Sequence, residues 1–567
     1  MLKVREGKGV FTLKELVERS PGEYRNKTAL QYKEEGEWRR ISYKKLGSLV
    51  NHFGAGLVNL GMGKEDRVAI LSENRPEWAI AYLSAASYGG VNVPIDAQLK
   101  KGEIWQILKD SASKFLIVSC AQLNKVKEID SKLPELRSIV VIDDHEGYSI
   151  DDFVFLSLRK KDKLKAFQTF EGVMNSGKIL EEGKDYSRKV SLDDLVALIY
   201  TSGTTGKPKG VMLSHRNIMS NVNAAYQVIP YGEADNFLSV LPLHHTLECT
   251  AGFLVPLFGG ATISYVESTA KIAENMQEVK PTIMIAVPKH YDAIYKGIMR
   301  RIKSNRLANM LYNSGIGRKL IAKGVLRRLG GKLRFFVSGG APLEPELIKN
   351  YKRLGISLAE GYGLTETSPI LTANPLTKIR AGSVGLPLPG VEIRIDNPGE
   401  DGIGEIVAKG DNVMLGYYKD SEKTKAILRD EWLYTGDAGY IDKNGYLHIT
   451  GRRKNVIVTE AGKNVYPEEV ENELLKSRFI QDVLVIGYTK VNALVRPDLE
   501  ELYAAKGKEV SDKRIGDIIK GEVNKYCKNL APYKRVAKIK LWYEEFPKTT
   551  TLKTKRAIVL RELADIE

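Results

Sequence analysis

The sequence predicts an α/β protein with mostly parallel sheets, followed by a β-rich stretch and a separate C-terminal domain. Three observations carry that expectation. From Arg67 onward, short apolar runs alternate with longer amphipathic ones, the rhythm of βαβ units. After Gly382 the runs shorten and are separated by Gly, Pro and Asp-Lys-Asn-Gly turns. Beyond Gly451-Arg452-Arg453-Lys454 a segment of about 110 residues has strands and helices of its own.

Taken in order, 68–71 reads as a strand and 76–88 as a helix opened by Asn74. Residues 91–95 read as a strand, 102–110 as a helix and 115–118 as a strand. Further strands are expected over 237–241, 282–287 and 333–337, and short ones over 391–395, 404–408 and 446–449. Residues 156–190, rich in Lys, Glu and Gly with weak periodicity, read as a surface excursion between subdomains. The main domain boundary is expected at Thr450-Gly-Arg-Arg-Lys454, between an N-terminal domain over 1–451 and a C-terminal domain over 455–567.

At 567 residues the chain exceeds what one core organises, and 43% hydrophobic with 28% charged residues describes a globular protein. No apolar run approaches the ~18 residues that span a bilayer, and the opening Met-Leu-Lys-Val-Arg-Glu-Gly-Lys lacks the apolar stretch of a secretory signal. Cys120, Cys249 and Cys527 stand far apart without CxxC spacing, which argues against a thiolate metal cage or a disulfide framework. A cytoplasmic location is expected. The 86 Lys and Arg against 70 Asp and Glu give +16, a balance that favours anionic partners such as nucleotides, CoA or acidic headgroups. A lysine-rich solvated surface accounts for the same charge, and peripheral contact with the inner face of a membrane is its other reading. No zinc-finger or RNA-binding aromatic motif accompanies it, so no nucleic-acid partner is expected.

The most informative segment runs from Tyr200 to His215. Thr201, Ser202, Gly203, Thr204, Thr205, Gly206 and Lys207 concentrate hydroxyls, glycines and an ammonium group between an apolar run and an expected helix. Glycines let backbone N–H groups turn toward one point, and the side chains add donors, which makes a cradle for phosphate oxygens. It is not a Walker A loop, because only two residues separate Gly203 from Gly206 and Pro208 follows Lys207. Downstream, Gly339, Gly340 and Ala341 leave an expected strand, and Glu360-Gly361-Tyr362-Gly363 follows. Paired glycines facing a tyrosine ring form a slot for a flat base. Thr365 offers a hydroxyl to a phosphate, and Glu366 a hard oxygen to magnesium.

Asp437, read in a tight turn after Tyr434-Thr-Gly, can accept both hydroxyls of a ribose. The glutamates after Pro467 suit a helix N-terminus, and capping accounts for them. His244, His245, Glu248 and Cys249 cluster in sequence without the His-Glu-x-x-His zinc spacing. Adjacent histidines on a strand would point to opposite faces, so no metal site is expected there.

In this order the motifs resemble those of the acyl-adenylate-forming enzymes, over roughly residues 30–556. The text Asn455-Val-Ile-Val and Gly462-Lys-Asn-Val-Tyr-Pro is similar to the long-chain fatty acyl-CoA ligase branch. The resemblance implies a large N-terminal domain of two α/β subdomains plus a β-rich subdomain, with a small mobile α+β C-terminal lid. It implies ATP, magnesium and CoA acting with a fatty acid: the carboxylate attacks the ATP α-phosphorus to give acyl-AMP and pyrophosphate, and the CoA thiol then expels AMP. It places Thr201 to Lys209 on the phosphates, Thr201 and Glu366 on magnesium, and Glu360, Tyr362 and Thr365 beside the nucleotide. Asp437 and Arg452 fall on the ribose, His245 beside the acyl group and Lys454 at the pivot. Near the C-terminus, Phe546-Pro-Lys-Thr-Thr-Thr-Leu-Lys-Thr-Lys-Arg556 matches the catalytic-lysine pattern. Registering on Pro547 and Arg556 puts that lysine at Lys553. Lys555 is the alternative, because Leu552 stands where glycine is expected and Thr554 where a hydrophobe is usual. Ligases that load an acyl-carrier protein and enzymes that stop at the adenylate share these motifs. The non-enzymatic alternative is a silent acyl or nucleotide binder.

Overall fold

The computed structural model describes residues 6–126, 133, 135–143, 166–181, 188–201, 208–459, 463–487, 489–507, 510–548 and 554–564. The chain forms two compact units. The first comprises Met1–Ala381, Gly385–Glu392 and Lys409–Leu433, and the second Gly382–Val384, Ile393–Ala408 and Tyr434–Glu567.

Two sheets with parallel centres build the first unit. The eight-stranded sheet runs Gly416–Tyr417, Lys209–Ser214, Leu195–Thr201, Val91–Ile95, Arg67–Leu71, Phe115–Val118, Ser138–Val141, Ala166–Thr169. The last six of these pair in parallel. In the nine-stranded sheet a parallel centre joins Ser357–Gly363, Phe335–Ser338, Ile283–Ala286, Asn236–Ser239, Thr262–Tyr265 and Thr28–Glu34, with antiparallel strands at both edges. The α/β expectation therefore holds, and the apolar runs read as strands are strands within one to two residues at most ends. They are buried on both faces, which is why they read as continuous rather than alternating. One large core joins residues of both sheets with the helices Leu13–Tyr24, Tyr43–Asn59, Pro76–Ser87 and His215–Val228. Pro76–Ser87 is apolar on every side and almost wholly buried, with Trp78 stacked on Tyr82 at 5.1 Å.

Two local expectations fail for physical reasons. Asn74 does not cap the helix at Pro76; Arg75 occupies the N-cap without a side-chain bond. Asn74 instead donates to the Leu241 carbonyl at 2.6 Å and accepts from the Leu243 N–H at 2.8 Å, clamping a turn distant in sequence. The described part of the 156–190 segment is not a surface excursion. Ala166–Thr169 adds a strand to the sheet edge, and Phe170–Glu181 lays Phe170 on Phe53 at 4.1 Å. The helix expected after the Tyr200–His215 segment is His215–Val228, and ahead of it Leu195–Thr201 pairs antiparallel with Lys209–Ser214.

In the second unit, residues 437–441 of the strand Trp432–Ile441 pair with Leu447–Arg452 within the β-rich sheet. A three-stranded sheet of Ile480–Ile486, Asn492–Pro497 and Lys538–Leu541 shares a separate core with the helices Pro467–Leu474 and Asp512–Cys527.

Candidate active site

The glycine-rich motifs of the first unit meet at the carboxyl ends of parallel strands. Ser338 is in register with Glu360 on the neighbouring strand, so Gly339 and Gly340 leave the sheet beside Gly361-Tyr362-Gly363. Glu360 holds the two together: its side chain accepts from the Leu343 N–H at 3.0 Å and its carbonyl accepts from the Asn374 N–H at 2.9 Å. Burial without a cation nearby pushes the Glu360 carboxyl up to about 8. Two glycines are required by geometry. A Cβ at Gly363 would lie 1.7 Å from the Pro369 carbonyl oxygen, and Gly340 has a φ of +79°.

Thr365 and Glu366 stand on the short turn Thr365–Thr367. The Thr246 hydroxyl donates to the Thr365 hydroxyl at 3.2 Å, and the Thr250 hydroxyl to the Ser368 carbonyl at 3.0 Å, so one helical segment grips this turn at two points. Tyr417 donates to a Glu366 carboxylate oxygen at 2.8 Å, and the Lys209 ammonium lies 5.0 Å from the Tyr417 ring centre. Lys209 is in turn the cross-strand partner of Thr201. The structure thus links Thr201 and Lys209 of the phosphate segment to Glu366 through Tyr417, a residue that no sequence motif singled out. Ser202, Gly203, Thr204, Thr205, Gly206 and Lys207 lie outside the described residues.

His244 and His245 are not on a strand. The strand ends at Ser239, and both sit in the turn before a π-helix, Glu248–Leu254. The Leu247 N–H donates to His245 Nδ1 at 3.3 Å. His244 is largely enclosed, its side chain 12% exposed, with Nε2 3.6 Å from Asp96, and desolvation lowers its pKa. Leu247 would be 3.2 Å from a Cβ at Gly339, so this turn reaches the glycine pair. Glu248 is fully buried; it accepts from the Ser239 hydroxyl at 2.6 Å, its other oxygen has no partner among the described residues, and burial pushes it up to about 8. A Cβ at Gly252 would come within 2.5 Å of this carboxyl, so the glycine makes its space. Wide helical turns of this kind often sit at functional sites, and no local pattern in the sequence signals this one. Among the described residues no cluster of three or more His, Cys, Asp or Glu could hold a metal ion.

In the second unit Asp437 and Arg452 face each other across neighbouring strands, with Nε 2.7 Å from Oδ1. Asp437 lies within the strand Trp432–Ile441 rather than in the tight turn expected, and it is buried. Lys454 is exposed in the turn Arg453–Asn455. The glutamates after Pro467 do more than suit a helix terminus. Glu468 accepts from Asn455 at 2.6 Å, Glu469 pairs with Lys534 at 2.7 Å, and Glu471 accepts from the Val485 N–H at 2.7 Å and pairs with Arg556 at 2.5 Å. Lys548 and Thr554 form an isolated antiparallel bridge, and Lys555 donates its N–H to the Pro547 carbonyl; Leu552 and Lys553 lie outside the described residues.

Comparison with known proteins fits this arrangement. Residues 17–418 match the AMP-binding enzyme family and residues 454–566 its C-terminal domain. The chain belongs to the AMP-binding enzyme family, the acyl-adenylate-forming ligases. Among its relatives, the peroxisomal long chain acyl-CoA synthetase 6 of Arabidopsis thaliana is 30% identical over 506 residues, 83% of this chain and 70% of the relative. A long-chain-fatty-acid–CoA ligase of Mycobacterium bovis is 27% identical over 581 residues, covering 94% and 92%. A chloroplastic long-chain-fatty-acid–[acyl-carrier-protein] ligase of Arabidopsis thaliana is 26% identical, covering 86% and 76%. Among solved structures, an anthranilate CoA ligase in complex with anthranoyl-AMP superposes with a TM-score of 0.76 at 25% identity over 98% of both chains. ATP-bound MatB from Rhodopseudomonas palustris gives 0.75 at 26% over 98% and 100%.

Proposed function

We propose that the protein is a long-chain fatty acid–CoA ligase that works through acyl-AMP. The observation that carries the reading is the convergence of Thr201 and Lys209, Tyr417 with Glu366, and Thr246 with Thr365 around the strand ends of one unit. Such strand ends are where α/β sheets take ligands. The long-chain assignment is supported by relatives named for long-chain acids along most of this chain.

In this reading the segment from Thr201 to Lys209 holds the phosphates of ATP, Tyr362 lies along the base with Gly339, Gly340 and Ala341, and Asp437, held by Arg452, takes the ribose hydroxyls. Magnesium fits Glu366 and Thr201: Glu366 has no basic partner among the described residues, and only one of its carboxylate oxygens is engaged by Tyr417. The ion would screen the phosphates from the incoming carboxylate. Lys553 neutralises carboxylate and α-phosphate as they approach, since a compact ammonium suits two converging anions. His245 borders the acyl group. Pyrophosphate and AMP leave readily, so the protein contributes chiefly by positioning. The residues 452–454, with Lys454 exposed, serve as the hinge on which residues 455–567 turn between the two half-reactions.

The test is a series of acids from acetate to octadecanoate, with ATP, magnesium, and either CoA or an acyl-carrier protein, followed by pyrophosphate and AMP release. AMP should appear with CoA, and faster with longer chains, because each buried methylene offers ~0.8 kcal/mol. A preference for acetate or an aromatic acid would overturn the assignment, and AMP release only with the carrier protein would move it to that class. Lys553→Ala should lose pyrophosphate release yet still form thioester from supplied acyl-AMP. Lys454→Pro, which fixes φ, should do the reverse. An active Lys553→Ala with a dead Lys555→Ala would shift the register by two residues.

A further inference from the structure

The excess positive charge has an address. Helices Pro288–Ser304, Arg306–Asn313 and Gly315–Arg328 follow one another with single-residue breaks, at which Asn305 and Ser314 cap the next helix by accepting from the Ala308 and Gly317 N–H groups. Residues 288–328 carry eleven lysines and arginines against one aspartate, so they hold ten of the sixteen net charges of the chain. That aspartate, Asp292, is already paired with Lys296 at 2.9 Å. From Arg300 to Arg328 there are nine basic residues and no acidic one, and none of the nine makes an ion pair among the described residues.

The same helices hold a second anomaly. Five large apolar side chains exceed 60% exposure among the described residues, and four of them are Leu307 (61%), Met310 (63%), Ile316 (84%) and Leu320 (63%). They are not core residues turned outward by chance. Ile302 and Val325 are buried, and Ile294, Ile298, Met299, Tyr312 and Ile321 pack on the core, so the helices already have an inner apolar face. Leu307 and Met310 are spaced i, i+3, and Ile316 and Leu320 i, i+4, which puts each pair on one face of its helix. The two helices that bear them pack against each other.

We propose that these helices form a membrane-docking surface, which lays Leu307, Met310, Ile316 and Leu320 into the headgroup boundary of an anionic bilayer while the flanking lysines and arginines engage lipid phosphates. A bilayer surface is the occupant that rewards both features at once. Exposed aliphatics flanked by basic residues, without an acidic residue among them, match an apolar layer beneath a negative surface. A nucleic acid would use the charge and leave the aliphatics in water. A protein partner calls for an interface centre enriched in aromatics and depleted of lysine, and the sole aromatic from Arg306 to Arg328, Tyr312, is packed inward. This surface goes beyond the proposed reaction and does not depend on which acceptor takes the acyl group.

Flotation of the full chain with vesicles tests it. With phosphatidylcholine vesicles containing phosphatidylglycerol at low salt the protein should float. With phosphatidylcholine alone, or at high salt, it should stay at the bottom. Two exposed-site variants separate the contributions: Ile316→Ser with Leu320→Ser, and Lys319→Gln, Lys323→Gln, Arg327→Gln and Arg328→Gln together. Each should weaken binding to the anionic vesicles by at least about tenfold, with unchanged thermal unfolding and unchanged pyrophosphate release on a water-soluble acid. Equal binding to both vesicle types would overturn the proposal, as would binding indifferent to the loss of Ile316 and Leu320. Tighter retention of duplex DNA or of an acidic carrier protein than of anionic vesicles would assign the surface to that partner instead.

Discussion

The two units differ in how they treat enclosed carboxyl groups. In the first, Asp66 and Asp235 are paired with Lys114 and Arg334, but Glu248 and Glu360 are enclosed with one hydrogen-bonding hydroxyl or N–H at the side chain and no cation, and burial lifts both to about 8. In the second, Asp437, Glu405 and Glu471 are each joined to an arginine: Arg452, Arg453 and Arg556. Burial also raises Glu471, but there Arg556 and the Val485 N–H oppose it. The contrast teaches that depth alone does not fix the state of a carboxyl. An uncompensated acid keeps its proton and acts as a neutral hydrogen-bonding group, whereas an arginine keeps the charge in place. Glu248 and Glu360 therefore belong to the rigid frame under Thr365, Glu366 and the glycine pair. The arginine-bound acids carry charge where the motifs put chemistry.

Breaking an arginine pair should have the largest effect. Arg556→Ala leaves Glu471, a largely enclosed side chain 14% exposed, with only the Val485 N–H, and also removes a donor to the Val485 carbonyl. The second unit should lose about 3–5 kcal/mol, read as faster hydrogen exchange along Ile480–Ile486. Arg556→Met combined with Glu471→Leu should recover most of it. A loss under about 1 kcal/mol from the single variant would mean that the partner matters less than the comparison claims.

The next effect separates the proton from the charge in the first unit. Glu248→Gln keeps the shape and the bond from Ser239, so it should change stability by no more than about 1 kcal/mol. Glu248→Ala empties a fully enclosed site and orphans the Ser239 hydroxyl, and should cost about 2–4 kcal/mol in denaturant unfolding. Equal losses from both would show that Glu248 is held as a carboxylate.

How far the sequence foretold this arrangement depends on whether a feature is local. Parallel strands were legible because strands buried on both faces are continuous apolar runs. The motifs were legible because Gly339, Gly363 and Asp437 stand in short, dense signatures. Features built from distant residues were not. Nothing local says that Tyr417 will bond Glu366, that Asn74 will clamp Leu241 and Leu243, or that Glu471 will find Arg556. The π-helix at Glu248–Leu254 escaped because Glu-Cys-Thr-Ala-Gly-Phe-Leu fits several periods equally well, and a short apolar run cannot tell them apart. The positive charge was countable, but its concentration on three helices needed the fold.

The pH response should follow with a definite sign. Glu248 and Glu360 rise from an ordinary 4.5 to about 8 in the folded chain, so the folded state binds more protons than the unfolded one between those values. Their contribution is fully present below about 4.5 and is lost as pH rises through about 8. His215, which accepts from the Leu13 N–H and is pushed down to about 4 by burial, works the other way: its contribution is present above 6.5 and is lost as pH falls through about 4. The first unit should therefore lose stability as pH rises between about 4.5 and 8, most steeply above 6.5 where His215 no longer opposes it, and Glu248→Gln should flatten part of that slope. An unchanged slope in denaturant midpoints would remove Glu248 from the account.

The smallest effect is expected where the geometry looks best. Arg216 grips Asp193 with two hydrogen bonds of 2.7 and 3.1 Å, a more regular fork than Arg556 makes with Glu471. Yet Asp193 is 75% exposed at its side chain, and water solvates both partners whether or not they meet. Asp193→Asn should leave the denaturant midpoint unchanged within error, at low salt as at high. If burial and the lack of an alternative partner are what make the Arg556 pair matter, the fork at Arg216 must contribute almost nothing despite its geometry. A loss from Asp193→Asn comparable to that from Arg556→Ala would make the bonding pattern the deciding factor, and the contrast between the two units would then say nothing about burial.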